Sequence, residues 1–426
     1  MTLPDQLPRV ALAEKQNARL RELLREIIPA NRFYNQKLAA AGINSKDIRT
    51  ADDLVRIPFT TKTELSADQI AYPPYGQVLT YPIPRYVRFC QTSGTTSQPL
   101  RWLDTRESWS WLLECWEMIY RIAGVGLGDR LFFPFSFGPF LGFWTAFDAA
   151  TRLGFLCLPG GGMSSAARLR FMLDNQATVV LCTPTYALRL AEVAQQQGID
   201  LKAGPVRKLI VAGEPGGSIP ASRARIESAW GARVFDHNGL TEVGAVGVEC
   251  PENPAGIHIL ESEYIAEVID PATTQPVPQG TIGELVLTNL GRWGSPALRY
   301  RTGDSVKVDP HPCPCGRSFL RLQGGILGRT DDMIHVRGNN LYPSALEAVI
   351  HRFPEVSEYR VEVDQRESLT ALRIELEPTR DSLATGLADR VDQAIRQELL
   401  FRAEVRTVAP GSLPRYEMKA RRFHKK

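Results

Sequence analysis

An alternation of amphipathic helices with short apolar runs constrains the fold of the first half of the chain. Apolar residues recur at helical spacing at roughly 11–28, 107–122 and 164–175, and a short apolar run follows each segment. The runs are 130–133, 155–158 and 178–182, with a further one at 208–212. Runs of this length are typical of buried strands, and their alternation with helices predicts an α/β fold whose sheet is covered by helices.

The pattern of apolar runs along the chain changes twice after this first half. From about residue 245, short apolar runs such as 266–269 and 283–288 are separated by Pro and Gly, which predicts a β-rich subdomain at about 245–327. After Gly328 we expect strands at 333–337, 358–364, 369–377 and 404–408, and helices at 344–353 and 383–400. The sequence therefore predicts a large N-terminal α/β domain over 1–327, a hinge at 328–332 and a small, mobile α+β C-terminal domain over 333–426.

Composition excludes several classes of partner. The chain has 426 residues, and 50 Lys and Arg against 47 Asp and Glu leave a net charge of +3. This small excess predicts binding neither to nucleic acid nor to a membrane surface. The longest apolar stretch, 131–150, is interrupted by Pro134, Pro139 and Asp148, so a membrane span is not expected. We expect a cytoplasmic enzyme with reduced thiols, and a homodimer is compatible with the sequence.

A glycine-centred loop rich in hydroxyls follows the apolar run 86–90. It comprises Gln91 to Pro99, with hydroxyl side chains on both sides of Gly94. Converging backbone N–H groups and hydroxyl donors suit a polyphosphate, although the same residues can form an ordinary polar turn. The Gly-Lys-Ser/Thr ending of a Walker loop is missing.

Several separated segments along the chain carry short, specific motifs. They are Ile57-Pro58-Phe59-Thr60-Thr61-Lys62, Thr92 to Pro99, Ala212-Gly213-Glu214-Pro215, Asn238-Gly239-Leu240-Thr241-Glu242, Arg299-Tyr300-Arg301-Thr302-Gly303-Asp304, Gly328-Arg329-Thr330-Asp331-Asp332, Val336-Arg337-Gly338 and Leu413-Pro414-Arg415 ahead of Lys419. In this order the segments resemble the phenylacetate-CoA ligase group of acyl-adenylate-forming enzymes, and the resemblance covers nearly the whole chain. It implies ATP-dependent conversion of a carboxylic acid to an acyl-adenylate, followed by transfer to the thiol of coenzyme A with release of AMP and pyrophosphate.

Two other hypotheses about the function stay open. The same adenylation can serve a carrier-protein thiol or an amine, and the fold can also be that of a catalytically weak nucleotide-binding protein. The hypothesis of a catalytically weak protein is motivated by departures from the family pattern. Ser97 and Gln98 stand where relatives have Gly-Lys, and Asn238 stands where they have an adenine-stacking tyrosine.

The resemblance assigns a role to each segment. The outer phosphates of ATP would be held by Thr92, Ser93, Gly94, Thr95 and Thr96. The base would be held by Gly213, Glu214, Pro215, His237 and Asn238, and either the His237 ring or the backbone of residues 214–216 would supply the missing stacking. Thr241 and Glu242 would contact the α-phosphate and Mg²⁺, which prefers hard oxygen ligands. Asp304 would accept hydrogen bonds from the ribose hydroxyls, and Arg329 would add a ribose or phosphate contact.

Catalysis and domain movement are assigned to the C-terminal part. Lys419 would bridge the substrate carboxylate and the α-phosphate and stabilise transition-state charge, although a basic tail by composition alone is usually solvated. Because this lysine must withdraw before a thiol can approach, the resemblance implies a hinge with Asp331 as its pivot. Gly338 would then line the CoA channel. A plain linker is the alternative.

Three cysteines and a histidine form a metal-like pattern. Cys313 and Cys315 lie in a tight Cys-Pro-Cys-Gly loop, while Cys250 and His258 are further upstream. Such a set predicts a closed structural Zn²⁺ site, which also matches a subset of the ligase group. His311 is a competing ligand, and buried or redox-active thiols are the alternative.

The acid substrate is suggested only by one aromatic segment. Residues 132–144 concentrate phenylalanines, glycines and Trp144 in the region where the group's acid pocket forms. An aromatic acid would fit such a lining, and the same residues would equally suit a protein core.

Overall fold

The computed structural model describes residues 3–92, 99–336, 339–364, 371–379, 386–417 and 419–425. The α-helices in these ranges are α1 Arg9–Ile27, α2 Arg32–Ala40, α3 Lys62–Ala71, α4 Arg106–Ile122, α5 Leu141–Arg152, α6 Ser165–Asp174, α7 Pro184–Gln196, α8 Pro220–Trp230, α9 Pro343–Ile350 and α10 Leu387–Leu399. None of them combines the length and the apolarity needed to cross a membrane.

The strands of the N-terminal part are β1 Tyr86–Gln91, β2 Arg101–Thr105, β3 Arg130–Phe133, β4 Leu156–Pro159, β5 Val179–Cys182, β6 Lys208–Val211, β7 Arg233–Leu240, β8 Gly244–Cys250, β9 Asn253–Ile259, β10 Tyr264–Ile269, β11 Ile282–Asn289, β12 Tyr300–Lys307, β13 Arg321–Gln323 and β14 Gly328–Arg329. The C-terminal part contains β15 Ile334–Val336, β16 Asn339–Leu341, β17 Val356–Asp364, β18 Ala371–Pro378, β19 Glu404–Thr407 and β20 Phe423–Lys425.

The predicted α/β fold is confirmed by an eight-stranded sheet with the order β13-β9-β8-β7-β6-β5-β3-β4. Strands β3 to β7 pair in parallel. Their neighbouring side chains belong to separate cores: Phe133 packs in one hydrophobic cluster and Phe132 in another. Because successive residues of a strand point to opposite faces, both faces are buried, which explains why these runs are almost entirely apolar.

The predicted β-rich region is divided between two sheets. Strands β8, β9 and β13 extend the large sheet in antiparallel fashion, whereas β10, β11, β12 and β14 form a second, four-stranded sheet. The change in the pattern of apolar runs near residue 245 therefore marks a switch from parallel to antiparallel strand pairing within one sheet. Antiparallel strands need only short connections, so Pro and Gly become closely spaced there.

The C-terminal part has its own core. Its sheet has the order β19-β18-β17-β20, and β15 pairs with β16. The buried residues of α9, α10, β17 and β18 form a separate hydrophobic cluster. The predicted helices are shorter than expected: α9 ends at Ile350, and α10 begins at Leu387, with residues 380–385 outside the described ranges.

Candidate active site

The site is built on loops at the carboxyl ends of β5, β6 and β7. Thr183 follows β5 and caps α7, since its hydroxyl accepts a hydrogen bond from the Tyr186 N–H at 3.1 Å. Gly213, Glu214 and Pro215 follow β6, and Glu242 follows β7. The carboxyl ends of neighbouring parallel strands share one edge of the sheet, so these loops meet there.

Gly213 allows close approach of the C-terminal domain. Its φ is +94°, and a Cβ at this position would lie 3.3 Å from Cε of Lys419. Any other residue would be strained here by its backbone and would also press on the lysine. Lys419 is thus placed directly over the loop that follows β6.

Two buried carboxylates face this cleft. Glu242 is 4 % exposed and accepts a hydrogen bond from the Tyr300 hydroxyl at 3.1 Å. Asp304, also buried, accepts one from Nη1 of Arg329 at 3.1 Å across the β12–β14 pair. Burial raises the pKa of Asp304 to about 6, and the Arg329 guanidinium opposes this shift. Asp304 therefore retains acceptor capacity at neutral pH for a ligand that donates hydrogen bonds.

Lys419 completes the cleft. Desolvation lowers its pKa, while the negative charge of Glu214 acts most strongly in the opposite direction. Arg329 adds to the lowering, and Asp304 and Glu242 counter it. The ammonium group is thus surrounded by the predicted site residues even though the side chain remains open to solvent. The arrangement thus places a cationic group beside the carboxylates of Glu214, Asp304 and Glu242.

The turn that carries Thr241 and Glu242 is braced by an ion pair that the sequence did not reveal. Arg292 donates from Nε and Nη2 to the two carboxylate oxygens of Asp104, at 2.7 and 2.6 Å, and both side chains are fully buried. Its Nη1 donates to the carbonyl of Thr241 at 2.6 Å. Neither residue lies in a motif, so only packing could identify them.

His237 and Asn238 point to opposite faces of β7. The His237 ring lies 4.5 Å from that of Trp116 on α4, its Nδ1 is 2.7 Å from the Gly247 carbonyl, and burial lowers its pKa to about 4. His237 is therefore neutral and engaged with α4, which does not support its predicted role in stacking on adenine beside Asn238. Adjacent strand residues cannot serve the same face.

Asn238 is 7 % exposed, and neither polar atom of its amide has a partner among the described residues. It shares its strand face with Asp236, whose carboxylate accepts a hydrogen bond from Ser218 at 2.5 Å in the segment after Gly213–Pro215. A buried amide without partners is costly unless a ligand satisfies it. Asn238 is thus available to a ligand on the side of the β6 loop.

Some predicted positions fall outside the described ranges. These are Ser93, Gly94, Thr95, Thr96 and Gly338. Thr92 is described and buried, and its Oγ1 accepts from the Leu100 N–H at 3.0 Å. Its hydroxyl therefore closes the base of the loop. Asp331 lies in the single turn Thr330–Asp332 directly after β14.

The cysteine cluster is assembled from three separate segments. Sγ of Cys250 lies 3.6 Å from Sγ of Cys313, Sγ of Cys315 lies 3.5 Å from Nε2 of His258, and all four ligand atoms are within 4.8 Å of one another. Nδ1 of His258 is 3.2 Å from the Phe319 carbonyl, which leaves Nε2 for the thiols. The pKa of Cys315 is lowered to about 6: burial raises it, but His258 and the Arg317 backbone stabilise the thiolate more.

His311, the competing ligand, does not join this cluster. Its side chain is 85 % exposed, and its Nδ1 lies 3.4 Å from Asp309. The three cysteines and His258 are donors of the kind and number that a closed tetrahedral Zn²⁺ site requires.

The aromatic segment is partly buried. Phe133 and Phe135 are buried, and the ring of Phe135 stacks on Phe143 at 3.9 Å. Phe137, Phe140, Phe143 and Trp144 remain half-buried. Phe137, Phe143 and Trp144 pack against the main hydrophobic core, so the core interpretation is supported and the part of this segment in an acid pocket stays a prediction.

Comparison with known proteins places this geometry in context. The AMP-binding enzyme model matches residues 86–291, and the model of the AMP-binding enzyme C-terminal domain matches residues 338–426. The chain is 31 % identical to the phenylacetate-coenzyme A ligase of Thermus thermophilus, over 97 % of this chain and 96 % of that protein. It is also 31 % identical to the ligases of the same name from Pseudomonas putida and Escherichia coli, over 96 % and 95 % of this chain and 93 % and 92 % of theirs.

A solved relative, 2-hydroxyisobutyryl-CoA ligase, distinguishes two arrangements. Its postadenylation state with 2-HIB-AMP superposes with a TM-score of 0.95 at 28 % identity, covering 99 % of this chain and 91 % of that one. Its thioesterification state with CoA gives a TM-score of only 0.75 at the same coverage. The present arrangement of the two parts of the chain is therefore similar to the postadenylation state.

Proposed function

The chain belongs to the phenylacetate-CoA ligase family of AMP-binding enzymes, and from this premise we propose how it works and which acid it takes. It is an AMP-forming acid–thiol ligase: it activates a carboxylic acid with ATP and transfers the acyl group to coenzyme A. Attack of the carboxylate on the α-phosphorus gives a mixed anhydride with AMP and releases pyrophosphate. Attack by the CoA thiol then gives the thioester and releases AMP.

The convergence of Lys419, Glu242, Asp304 and Arg329 on one cleft carries our assignment of roles. We propose that the Lys419 ammonium offsets the charge shared by the attacking carboxylate and the α-phosphate. Asp304 accepts hydrogen bonds from the ribose hydroxyls and is oriented by Arg329. Thr241 contacts the α-phosphate, on a turn anchored through its carbonyl by Arg292.

Glu242 is the proposed Mg²⁺ ligand. It offers a buried carboxylate, held by Tyr300 at 3.1 Å, and hard oxygen is the donor that this ion prefers. When bound, the ion would neutralise phosphate charge. The protein's own part is to hold the carboxylate in a fixed orientation in the cleft.

We propose an aromatic acid as the substrate. The support is the half-buried aromatic surface formed by Phe137, Phe140, Phe143 and Trp144, together with the phenylacetate named for the curated relatives. Apolar rings offer a large contact area to an aryl group. A small hydroxylated acid is the second candidate, favoured by the acid named for the solved relative and by the Trp116 N–H, which is buried and has no partner among the described residues.

Acid-dependent exchange of labelled pyrophosphate into ATP tests the substrate class. The panel contains phenylacetate, hydroxybenzoates, 2-hydroxyisobutyrate and acetate, and active acids are then offered with CoA. We expect the highest kcat/KM with an aryl acid. Preference for 2-hydroxyisobutyrate over every aryl acid would reject the aromatic proposal and favour the second candidate.

We also propose that Cys250, His258, Cys313 and Cys315 hold a structural Zn²⁺. The four donors come from β8, β9 and the loop before β13, so the ion would fasten the antiparallel edge of the large sheet. Metal analysis of the purified protein should find one zinc per chain. A Cys313→Ser, Cys315→Ser variant that retained stoichiometric zinc would rule the site out.

The hinge role of Asp331, the CoA-channel role of Gly338, the homodimer and the cytoplasmic location stay predictions.

A further inference from the structure

The segment that carries Lys419 is fastened to the N-terminal domain on both sides of the lysine. Two residues before it, Glu417 accepts hydrogen bonds from the Ser165 hydroxyl at 3.2 Å and from Nη1 of Arg168 at 3.3 Å. One residue after it, the N–H of Ala420 donates to Oε2 of Glu214 at 2.9 Å. The lysine thus lies between two attachment points.

The first attachment point is a buried guanidinium. Arg168 on α6 is 3 % exposed, its Nε donates to the Gly160 carbonyl at 2.8 Å and its Nη1 donates to the Tyr186 hydroxyl at 2.7 Å. Among the described residues, its carboxylate partner is Glu417, which comes from the C-terminal domain. Because an unpaired buried charge is costly, a domain arrangement that supplies its counter-ion is favoured over one that does not.

The second attachment point is a carboxylate held rigidly by a helix. Oε1 of Glu214 accepts the N–H of Thr185 at 2.9 Å, in the first turn of α7, while Oε2 accepts the N–H of Ala420. The favourable interaction of a negative charge with a helix N-terminus fixes the carboxylate. Each oxygen of this carboxylate thus accepts from a backbone donor, one on α7 and one on the residue that follows Lys419.

We propose that Arg168 and Glu214 are positioning residues that hold Lys419 in place for adenylation alone. This inference rests on the proposed role of Lys419. The attachments join the N-terminal domain to Glu417 and Ala420, which flank Lys419, and the structure is similar to a postadenylation state. Both must therefore break when the C-terminal domain turns for thiol transfer, so they stabilise one half-reaction and not the other.

Other interdomain contacts are less suited to this role. Arg415 reaches Glu192 at 3.3 Å, but it is bound more closely by Glu377 of its own domain. Arg422 contacts the Thr185 hydroxyl at 3.4 Å and pairs with Glu358, again within its own domain. These arginines keep their counter-ions when the domain moves, whereas Arg168 does not.

Glu417→Ala separates the half-reactions. The residue is half exposed, so the fold should persist, and this is checked by thermal unfolding. We expect the rate of acid-dependent pyrophosphate exchange to fall by roughly three- to tenfold, as for loss of a partly buried ion pair. The rate of CoA thioester formation from presynthesised acyl-adenylate should stay within about twofold of the original. Glu404→Ala is the matched control, because Glu404 pairs with Arg373 inside the C-terminal domain and should change neither rate.

Glu214→Gln adds a pH readout. Glutamine has a single acceptor oxygen and an NH2 group in place of the second, so it cannot keep both contacts, which use different carboxylate oxygens. The substitution also removes the negative charge that most favours protonated Lys419 against desolvation and Arg329. Asp304 and Glu242 remain as the other acids that face the lysine. The alkaline limb of the exchange rate should therefore move to lower pH, a shift that a purely structural defect would not cause.

Two results would overturn the proposal: an equal fall in both half-reactions of Glu417→Ala, or unchanged exchange in Glu417→Ala together with an unshifted limb in Glu214→Gln. Failure of the proposed function would look different, because the unsubstituted protein would then support no exchange with any acid.

Discussion

Removal of Asp104 tests the buried ion pair beneath the catalytic turn. Asp104→Ala would leave the Arg292 guanidinium without its counter-ion at a site where both side chains are 0 % exposed. Two charge-assisted hydrogen bonds of 2.7 and 2.6 Å would be lost. Breaking a buried pair in this way costs about 3–5 kcal/mol, because the remaining charge stays desolvated. Urea unfolding should show that loss.

A paired substitution separates stability from activity. Asp104→Leu with Arg292→Met removes both charges and should regain most of the stability lost in Asp104→Ala, since apolar replacements avoid the desolvation penalty. Pyrophosphate exchange should remain low in the double variant, because the Thr241 carbonyl loses its hydrogen bond from Arg292 and the turn that carries Glu242 is no longer anchored.

The control is an exposed pair. Arg352 and Glu398 are 46 % and 45 % exposed, so Glu398→Ala should cost about 0–1 kcal/mol. If Asp104→Ala cost no more than this control, the argument from burial would be wrong. If the double variant recovered full exchange activity, the Arg292–Thr241 contact would have no role in the site.

Three further predictions follow from the site geometry. Lys419→Ala should lower acid-dependent exchange about 10²–10³-fold while leaving thioester formation from presynthesised acyl-adenylate much less affected, as measured in single-turnover assays; equal losses in both would contradict its assigned step. Nucleotide binding should weaken as the pH falls through about 6, because Asp304 is protonated there and a neutral carboxyl is a poorer acceptor for the ribose hydroxyls. AMP titrations as a function of pH check this for the unsubstituted protein and for Asp304→Asn, whose affinity for AMP should not change near pH 6. The folded-state pKa of Asp304 is above its ordinary value of 3.8, so this carboxyl stabilises the folded protein at pH below 4 and loses that contribution as the pH rises through about 6. Gly213→Ala should reduce exchange by at least about tenfold with little change in secondary structure by circular dichroism, because φ is +94° and its Cβ would press on Lys419; unchanged exchange would show that the loop adapts.

Much of the fold was predictable because it depends on local patterns. The apolar runs at 130–133 and 178–182 became strands of the central sheet, buried on both faces. The tail's strands and helices also appeared in the predicted order. Division of the middle strands between two sheets was not predictable, since a short antiparallel strand carries no mark of which sheet it joins.

The sequence by itself determined the family and the α/β class and predicted the site residues, because these depend on motifs and apolar patterns whose residues are close together in the chain. Tertiary structure decided between candidate residues that the sequence left open. It put His258, and not His311, beside the thiols, and it turned the ring of His237 toward α4.

Only the folded structure revealed the residues that support the site. Arg292 and Asp104 are 188 positions apart, and Ala420 and Glu214 are 206 apart. Nothing in the local sequence of either partner specifies such a pair. The free energy of a buried charge or an occupied carboxylate depends on which groups packing brings within hydrogen-bond distance, and that is settled only when the sheets and helices have assembled.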